Sequence, residues 1–503
     1  MKILNTKQIR EADKITIEKE PIHSIDLMER ASKAIFDQLK KRLKKQDSIK
    51  VFCGMGNNGG DGLAIARMLA VSGYKVIAYK IMHTHKPSSD FQINEKRLNK
   101  IRNTQLIEIG EKDTFPQIDS KDIIVDAIFG SGLSRPLEGF LSQMVKHINS
   151  SGARIIAIDI PSGLFGEDNT DNMPEHIIRA DLTFTFQLPK LSFMFPENDL
   201  FIGEWHCLPI GLNQDFINQQ DTPYHFLLKE DLLPIFKYRS KFDHKGSFGH
   251  ALLIAGGYGK SGAALLASLA ALRVGAGLLT AHVPGANYQI QQANVPEAMV
   301  SVDENEKHFT GIKDISPYPA IGIGPGLGKE KQTQQALKLL LQNYTRPMVF
   351  DADALNILAE NPTWLSFLPP ASILTPHLGE FERLTGKSQN GWERLEKARD
   401  FAFRFKCFLL LKGAHSALVG PDKQVIFNST GNPGMATGGS GDVLTGMILG
   451  LLAQSYSPLY SAMAAMYLHG LAADLAVKNK PMESLMAGDI VDFIPKAIRK
   501  VYY

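Results

Sequence analysis

The chain has 503 residues, of which 44% are hydrophobic and 21% are charged, as is ordinary for a globular protein. At ~150 residues per domain, this length allows about three domains or two large ones. Lys and Arg number 55 against 52 Asp and Glu, a formal net charge of +3. That charge is too small for a protein whose nucleic-acid affinity rests on a basic face. Disorder, collagen-like repetition and charge-driven nucleic-acid binding are therefore excluded.

The cysteines and the apolar stretches indicate the compartment. Cys53, Cys207 and Cys407 are widely spaced and form no CxxC pair, which argues against a disulfide framework or a zinc site and favours a reducing environment. The N-terminus is charged throughout and lacks the apolar core of a signal peptide. The longest apolar stretch, 251–280, is interrupted by charged residues and many glycines. We expect a cytoplasmic protein without a membrane span.

In the first half, short apolar runs alternate with helical periodicity, which predicts parallel α/β layering. The predicted strands are 50–53, 75–79, 123–128 and 154–158. Three of them run into the turns GMGNNGGDG, DAIFGSGLSRP and DIPSGL. Because ligands of open α/β sheets bind beyond the carboxyl ends of the strands, we expect these turns to converge on one crevice.

The pattern breaks over 213–246, a polar stretch with two prolines and no long period. We interpret it as the linker between domains 1–220 and 221–503. The alternation then resumes. The predicted strands are 250–255, 320–324 and 348–350, with others near Ile373 and Leu409, and the predicted helices are 262–275, 331–343 and a last one from Gly441.

The glycine-rich turn 54–62 follows a strand and precedes a helix predicted over 63–72. It contains GxGxxG, whose glycines let backbone amides approach a pyrophosphate at a helix start. A dinucleotide fingerprint also needs an acid about 20 residues on to hold the ribose, and the stretch there, AYKIMHTHK, has none. Asn57, Asn58 and Asp61 add oxygen ligands that suit a cation or a hydroxyl-rich ligand as well. A purely structural turn remains the alternative.

Carboxylates stand where two apolar strands end, at Asp126 and Asp159. Such residues are functional or cap a helix. In the run DIPSG, Asp159 and Ser162 place a carboxylate and a hydroxyl at one strand end, enough for acid/base work and cation binding.

The run 432–444, NPGMATGGSGDVL, is the most informative motif of the second half. Its glycines feed a helix, so several N–H groups point at one place, as in an anion hole for a phosphoryl group in transit. Asp442 stands beside it to take a hydroxyl proton. A merely structural helix start is the alternative. The earlier run 256–261, GGYGKS, resembles a P-loop but has Ile254 where that motif requires glycine, which excludes it.

Other strand ends of the second half carry matching groups. The loop 412–416, KGAHS, could hold a nucleotide phosphate or ribose, and GPGLG at 324–328 is another strand-end turn. Asp351 and Asp353 suit Mg²⁺ and phosphate charge. His377 and Glu380 stand three apart at a helix start, where each has an equally good structural interpretation.

These motifs together resemble known families. GGSGD is similar to the GxGD signature of ribokinase-like kinases, in which the Asp activates a substrate hydroxyl; where sugar and vitamin kinases often carry Asn-x-x-Glu, this chain has His377-x-x-Glu380. FDADALNIL, TPHLGEFERLTG and NPGMATGGSGDVLTG resemble the ADP-dependent NAD(P)H-hydrate dehydratases. GNNGGDG, VDAIFGSGLSRP and DIPSGL resemble the NAD(P)H-hydrate epimerases. Their fusion in this order resembles the bifunctional nicotinamide nucleotide repair enzymes of bacteria, over nearly the whole chain.

The resemblance implies two three-layer α/β domains, an N-terminal Rossmann-like epimerase domain and a C-terminal ribokinase-like dehydratase domain. It implies repair of the hydrated dinucleotides NADHX and NADPHX, with ADP or ATP as phosphoryl donor, Mg²⁺, and potassium in the epimerase site. We expect a homo-oligomer that binds neither nucleic acid nor membrane. A ribokinase-like small-molecule kinase and a non-catalytic nucleotide-binding protein remain the alternatives.

The family's functional residues map onto this sequence as follows. The epimerase site would comprise Asn57, Asn58, Gly59, Gly60, Asp61, Gly130, Ser131, Gly132, Leu133, Ser134, Arg135, Pro136 and the catalytic Asp159, with potassium at Asn58, Asp126 and Ser162. The dehydratase site would hold the hydrate with Ala263, Gly326, His377 and the catalytic Asp442, and the nucleotide with Lys412, Gly413, Ala414, His415, Ser416 and Gly441. The chain departs from the family at Phe165-Gly166 and at Leu191-Ser192, both beside the epimerase site.

Overall fold

The computed structural model describes residues 1–102 and 104–503, which form two units. The first comprises 1–222 and 390–392, and the second 223–389 and 393–503. The stretch 213–246, interpreted as a linker, contains this boundary but also a helix and a strand. The strand pairs with the sheet of the second unit. A polar sequence without long periodicity hides such an edge strand, because its pairing partner lies far away in the chain.

The first unit contains seven helices and seven strands in the described residues. The helices are α1 Thr6–Lys19, α2 Ser24–Lys40, α3 Asn57–Val71, α4 Ser89–Leu98, α5 Gly139–Asn149, α6 Asp199–Ile202 and α7 Gln214–Gln219. The strands are β1 Ser48–Cys53, β2 Lys75–Ile81, β3 Thr104–Ile109, β4 Ile123–Ala127, β5 Arg154–Ile158, β6 Leu182–Phe186 and β7 Glu204–Leu208. They form one parallel sheet in the order β3-β2-β1-β4-β5-β6-β7.

Successive residues of the first sheet point into two separate cores. Val51 and Val125 pack with α2 and α3 on one face, whereas Phe52 and Ile124 pack with α5 on the other. Strands buried on both faces read as continuous apolar runs, which is why the sequence showed them clearly. The strand order is that of dinucleotide-binding folds with one strand added, and its direction reverses between β1 and β4.

Helix α3 begins at Asn57, so the predicted start at 63 is wrong. Most of the glycine-rich turn is helix, and its glycines serve close packing. A Cβ on Gly59 would overlap the carbonyl of Gly54, and one on Gly62 would come within 2.9 Å of Sγ of Cys53. Tertiary packing therefore overrides the low helix propensity of glycine at these positions.

The second unit contains ten strands and nine α-helices in the described residues, counting α13, whose first two residues are assigned to the first unit. The helices are α8 Ser261–Arg273, α9 Tyr288–Asn294, α10 Lys331–Asn343, α11 Ala352–Glu360, α12 Leu378–Thr385, α13 Gly391–Phe405, α14 Ser440–Ala453, α15 Pro458–Ala476 and α16 Ala487–Tyr502. The strands are β8 Tyr224–Phe226, β9 His250–Ile254, β10 Leu278–Val283, β11 Met299–Val302, β12 Ala320–Ile323, β13 Met348–Phe350, β14 Ile373–Leu374, β15 Phe408–Leu411, β16 Ala417–Val419 and β17 Val425–Phe427. The sheet order is β11-β10-β9-β12-β13-β14-β15-β16-β17-β8, with only β16 antiparallel to its neighbours.

Both faces of this second sheet are covered as well. Ala251 and Leu253 of β9 belong to the core built by α8, α14 and α15. Leu252 and Ile254, which alternate with them along the strand, are equally buried. Helix α14 packs tightly on α8, since a Cβ on Gly446 would overlap the carbonyl of Ala267. The predicted architecture of two three-layer α/β domains is confirmed. In the described part of the chain, no helix combines the length and apolar character needed to cross a bilayer.

Candidate active sites

In the first unit, the loops after β1 and β4 meet at the point where the strand order reverses. The amide of Gly54 donates to the carbonyl of Ala127 at 3.0 Å. Asn58 lies against Gly130: a Cβ added to Gly130 would stand 3.3 Å from the Cβ of Asn58. Ligands of such sheets bind in this crevice, so the expected convergence of the turns is observed for these two loops.

Asp126 and Ser162 are brought together from β4 and the loop after β5. Both are fully buried. The Ser162 hydroxyl donates to Asp126 Oδ1 at 2.6 Å, and the Ser162 amide donates to Oδ2 at 2.7 Å. The same hydroxyl accepts from the amide of Phe129 at 2.8 Å. Burial raises the pKa of the Asp126 carboxyl to about 6, although these hydrogen bonds oppose the rise.

Asp159 pairs with Lys190, a residue to which the sequence analysis assigned no role. The Lys190 ammonium lies 2.8 Å from Asp159 Oδ1, and the Ser131 amide donates to Oδ2 at 3.3 Å. Burial alone would raise the pKa of Asp159, but Lys190 and the hydrogen bonds outweigh it and hold this pKa below its ordinary value. Asp159 also has a left-handed backbone, with φ of 64°, a conformation found at functional turns. The buried side chain is therefore a carboxylate at neutral pH.

Two further carboxyl groups interact electrostatically with Asp159. Burial, then the negative charge of Asp159, raises the pKa of Asp13 to about 6. Burial raises the pKa of Asp61 well above its ordinary value, with Asp159 and Asp13 adding to the rise. Asp61 accepts the Ser32 hydroxyl at 2.9 Å. Asp13 comes from α1, far from the glycine-rich turns in sequence, so no local motif indicated it.

The other predicted residues of the first site differ in exposure. Gly59 and Gly60 are buried within α3, whereas Asn57, Gly132, Ser134 and Arg135 are exposed. Leu133 and Pro136 are partly buried. The loop 130–136 is held from α1, because Arg10 donates to the carbonyl of Gly132 at 3.2 Å.

In the second unit, Lys412 and Asp351 meet at the start of α14. The Lys412 ammonium lies 2.8 Å from Asp351 Oδ1, and Thr445, one turn into the helix, donates its hydroxyl to Oδ2 at 2.7 Å. A Cβ on Gly441 would stand 3.3 Å from the Lys412 nitrogen. Burial alone would lower the pKa of Lys412, but the carboxylates of Asp351 and Glu380 outweigh it and raise this pKa. A fixed positive charge therefore lies beside the helix start.

The start of α14 has the form predicted from its glycines. Gly439 is the N-cap of α14, and its backbone is left-handed, with φ of 92°. A residue with a side chain adopts this conformation less readily than glycine does. In the described part of the chain, the amides of Gly441 and Asp442 meet no acceptor, while that of Ser440 makes only a long contact of 3.5 Å to Thr437. The first amides of a helix attract anions. Burial, followed by the charge of Asp351, raises the pKa of the half-buried Asp442 to about 6.

Two buried polar atoms lie near this helix start without partners among the described residues: the Ser440 hydroxyl and Nε2 of His469. Burial lowers the pKa of His469 to about 4, and a hydrogen bond to the Ser440 backbone opposes this. The imidazole is therefore neutral at pH 7. His469 lies inside the apolar helix α15, where no local sequence signal indicated it.

Ala263 and Gly326 are brought together by loops after β9 and β12. The amide of Gly257 donates to the carbonyl of Gly326 at 2.6 Å. A Cβ on Gly326 would come within 3.1 Å of the Cβ of Ala263. A side chain at position 326 would therefore fill the space between these two residues. Asp353 accepts from the Gly328 amide at 2.8 Å and pairs with Lys260 at 3.1 Å.

His377 and Glu380 form a capping box at the start of α12. The Gly379 amide donates to His377 Nδ1 at 3.0 Å, and the His377 amide donates to Glu380 Oε2 at 2.9 Å. This is the structural role named as the alternative. His377 is nevertheless half exposed, and Glu380 lies 3.8 Å from the Lys412 ammonium.

The loop 412–416 turns back on itself. Ser416 exchanges hydrogen bonds with the amide and carbonyl of Gly413, and Nδ1 of His415 lies 3.1 Å from the carbonyl of Asn428. Gly413 and Ala414 are exposed. Among the described residues, no three acidic, His or Cys side chains are grouped so as to hold a metal ion.

The two units thus define a two-domain α/β enzyme, one with a sheet of dinucleotide-binding type and the other with a helix start whose first amides are open. Residues 251–496 match the family model described as NAD(P)H-hydrate dehydratase, and residues 24–192 match that described as YjeF-related protein N-terminus. Among solved structures, a ribokinase-like superfamily protein from Enterococcus faecalis has 28% identity and a TM-score of 0.50, over 57% of this chain and 99% of that chain.

The similarity to curated proteins extends over both units. The bifunctional NAD(P)H-hydrate repair enzyme Nnr of Moorella thermoacetica is 34% identical over 520 residues, covering 100% of this chain and 97% of the relative. The enzyme of that name from Escherichia coli is 34% identical over 479 residues, covering 94% of this chain and 89% of the relative. The chain belongs to the family of bifunctional NAD(P)H-hydrate repair enzymes, which confirms the family indicated by the sequence.

Proposed function

We propose that the first unit interconverts the R and S epimers of NADHX and NADPHX, and that the second unit dehydrates the S epimer at the expense of ADP. The observation that carries the second half is the arrangement at the start of α14, where open amides, the Lys412 ammonium and the Asp442 carboxyl adjoin one another. The family supports this assignment over a kinase that leaves phosphate on its product.

Dehydration would proceed in two stages. Asp442 takes the proton from the hydroxyl on C6 of the nicotinamide ring while that oxygen attacks the terminal phosphorus of ADP, and the bond to the AMP oxygen breaks. The ring nitrogen lone pair then expels phosphate and leaves an iminium ion, which loses the proton on the neighbouring C5 to water and so restores the dihydropyridine. Phosphorylation is needed because hydroxide is a poor leaving group.

Charge stabilisation would come from the chain's own groups. The amides of Gly441 and Asp442 and the ammonium of Lys412 would face the phosphoryl group as negative charge moves onto the leaving oxygen. Lys412 to Ser416 would hold the rest of the nucleotide, and Ala263, Gly326 and His377 the hydrate. The hydrogen bond of Asp351 to Thr445 supports this geometry, because it ties the lysine's partner to α14.

Mg²⁺ would bind together with the nucleotide. This ion usually takes only one or two protein carboxylates and completes its shell with phosphates and water. Asp351 and Asp353 offer carboxylate oxygens at one strand end. The ion would neutralise phosphate charge.

In the epimerase site, Asp159 would act as acid and base on the hydrate. Its pairing with Lys190 supports this assignment, because the pair keeps a buried carboxylate ionised and ready to accept a proton. The residues Asn57 to Asp61 and the loop Gly130 to Pro136 would bind the dinucleotide around it.

Potassium would lie beside Asn58 and Asp126. The Asn58 amide nitrogen is buried without a partner among the described residues, so this amide can turn and present its oxygen. The Ser162 hydroxyl already bonds to Asp126 and Phe129, and ligation through it would have to displace one of these contacts. Bound potassium would orient ligand oxygens.

We also propose that the protein is a cytoplasmic homo-oligomer. The family resemblance supports both parts of this proposal, and the three free cysteines support the compartment.

The decisive experiment incubates the purified protein with separated R and S hydrates and either ADP or ATP. Recovery of reduced nicotinamide absorbance together with AMP and phosphate from ADP would support the proposal, and comparison with ATP would establish the donor. A stable phosphorylated product would instead indicate a kinase, and binding without turnover a non-catalytic protein.

A further inference from the structure

The loop 82–88, which follows β2, lies at the crevice of the first unit. The ring of His83 packs edge-on against Phe129, with centroids 4.9 Å apart. A Cβ on Gly54 would stand 3.3 Å from Cε1 of His83. At its other end, the amide of Ser88 donates to the carbonyl of Met55 at 2.9 Å. The loop therefore lies against both loops that form the crevice between β1 and β4.

In sheets of this strand order, the end of the second strand holds the adenosine ribose of a dinucleotide, normally through a carboxylate that binds the 2′-hydroxyl. Here the loop reads MHTHKPS, with no acid. The next carboxylate along the chain, Asp90, is buried and accepts the Ser24 hydroxyl at 2.6 Å. No negative charge from this loop would therefore repel a phosphate on the ribose.

His83 presents a hydrogen-bond acceptor in that place. Its Nδ1 lies 3.0 Å from the carbonyl of Ile81, and a carbonyl only accepts, so Nδ1 carries the proton. The other ring nitrogen, Nε2, then offers its lone pair. Burial lowers the pKa of His83, which keeps the ring neutral at pH 7.

The same loop carries exposed positive charge. Lys86, three residues after His83, is exposed and carries this charge. A 2′-phosphate, with close to two negative charges at neutral pH, would gain from the ammonium and suffer no repulsion from the loop. A plain ribose would gain only the neutral acceptor.

We propose that the loop 82–88 binds the adenosine ribose of the hydrated dinucleotide, and that Lys86 makes the first unit favour NADPHX over NADHX. This inference rests on the proposed epimerase function. It assigns a specificity role to residues outside the glycine-rich turns.

The test measures epimerisation of pure R-NADPHX and R-NADHX by the full chain. Excess Asp159→Asn protein with ADP supplies dehydratase activity, so that the appearance of NADPH or NADH reports epimerisation, after subtraction of the spontaneous rate. The quantity compared is the ratio of kcat/KM for NADPHX to that for NADHX. Lys86→Gln removes the charge. Lys121→Gln changes an exposed lysine just before the amino end of β4, away from the carboxyl ends of the strands, and is the matched control.

We expect the wild-type ratio to exceed one, and Lys86→Gln to lower it about tenfold, as for loss of one charge-assisted phosphate contact. Lys121→Gln should leave it unchanged. His83→Asp, which supplies the missing ribose acid, should bring the ratio below one. A wild-type ratio of one, or a ratio that Lys86→Gln does not move, overturns the inference while leaving the epimerase function standing. Absence of epimerisation of either hydrate by the wild type would overturn that function and the inference with it.

Discussion

The ammonium of Lys190 lies 2.8 Å from Oδ1 of Asp159, with both side chains buried. Taking two charges out of water is costly, and their attraction offsets that cost only while both are present. The pair keeps the Asp159 carboxylate ionised inside the protein. The pairing connects the stability of the first unit with its proposed chemistry.

Lys190→Met should test the stability side of this pair. We expect a loss of about 3–5 kcal/mol in the free energy of unfolding of the first unit, because an uncompensated carboxylate remains buried. The double variant with Asp159→Asn should recover part of that loss. Denaturant unfolding measures both. If the double variant loses more free energy of unfolding than the two single variants together, the ion pair is not the cause of the Lys190→Met effect.

Asp159→Asn should separate the two activities. The side chain keeps its shape but cannot take a proton, so we expect use of the R hydrate to fall by about a hundredfold or more. Dehydration of the S hydrate should stay near the wild-type rate, since it is assigned to the other unit. Rates on the separated epimers with excess ADP give the comparison. Equal losses on both epimers would reject the assignment.

Asp442→Asn should abolish dehydration without unfolding the chain. We expect kcat on the S hydrate to fall by about a hundred- to ten-thousandfold, the range for loss of a general base, with the affinity for ADP largely retained. Glu297→Gln, an exposed carboxylate of the same unit, is the control and should turn over normally. Near-normal turnover by Asp442→Asn would remove this residue from the mechanism.

The pH dependence of dehydration should reflect the pKa of Asp442, which burial and then Asp351 raise to about 6. Below that pH the carboxyl is protonated and cannot accept the hydroxyl proton, so kcat/KM, which reports the pKa of the free enzyme, should decline as pH falls through about 6. Asp351→Asn removes one negative neighbour and should move this decline to lower pH. The measurement is kcat/KM for the S hydrate at pH values from about 4.5 to about 8. If the Asp351→Asn variant loses activity over the same pH range as the wild type, the decline reflects the titration of another group.

Several parts of the sites were predictable because their signals are local. The run GGSGD predicted open amides beside a carboxyl, which the structure has at Gly441 and Asp442. Asp126 was singled out because it ends an apolar strand, and the family resemblance placed Ser162 beside it; the Ser162 hydroxyl does bond to Asp126. These inferences succeed because parallel strands bring their carboxyl ends to one edge.

Other parts had no local signal. Asp13 comes from α1 and His469 from an apolar helix, and only folding places either near a site. The glycines of α3 suggested close approach of a ligand, but Gly59 and Gly62 accommodate the protein's own atoms. A glycine in a sequence does not say which neighbour requires the space.

By itself, the sequence determined the two α/β domains, the family and most of the residues at the strand ends, because apolar periodicity and glycine-rich turns are local features of the chain. Only the tertiary structure decided that Lys190 neutralises Asp159, that Lys412 stands between Asp351 and Gly441, and that His83 lies at the crevice. The reason is physical. Charge, burial and hydrogen bonding act over a few ångströms in space, and residues that close can be hundreds of positions apart in the chain.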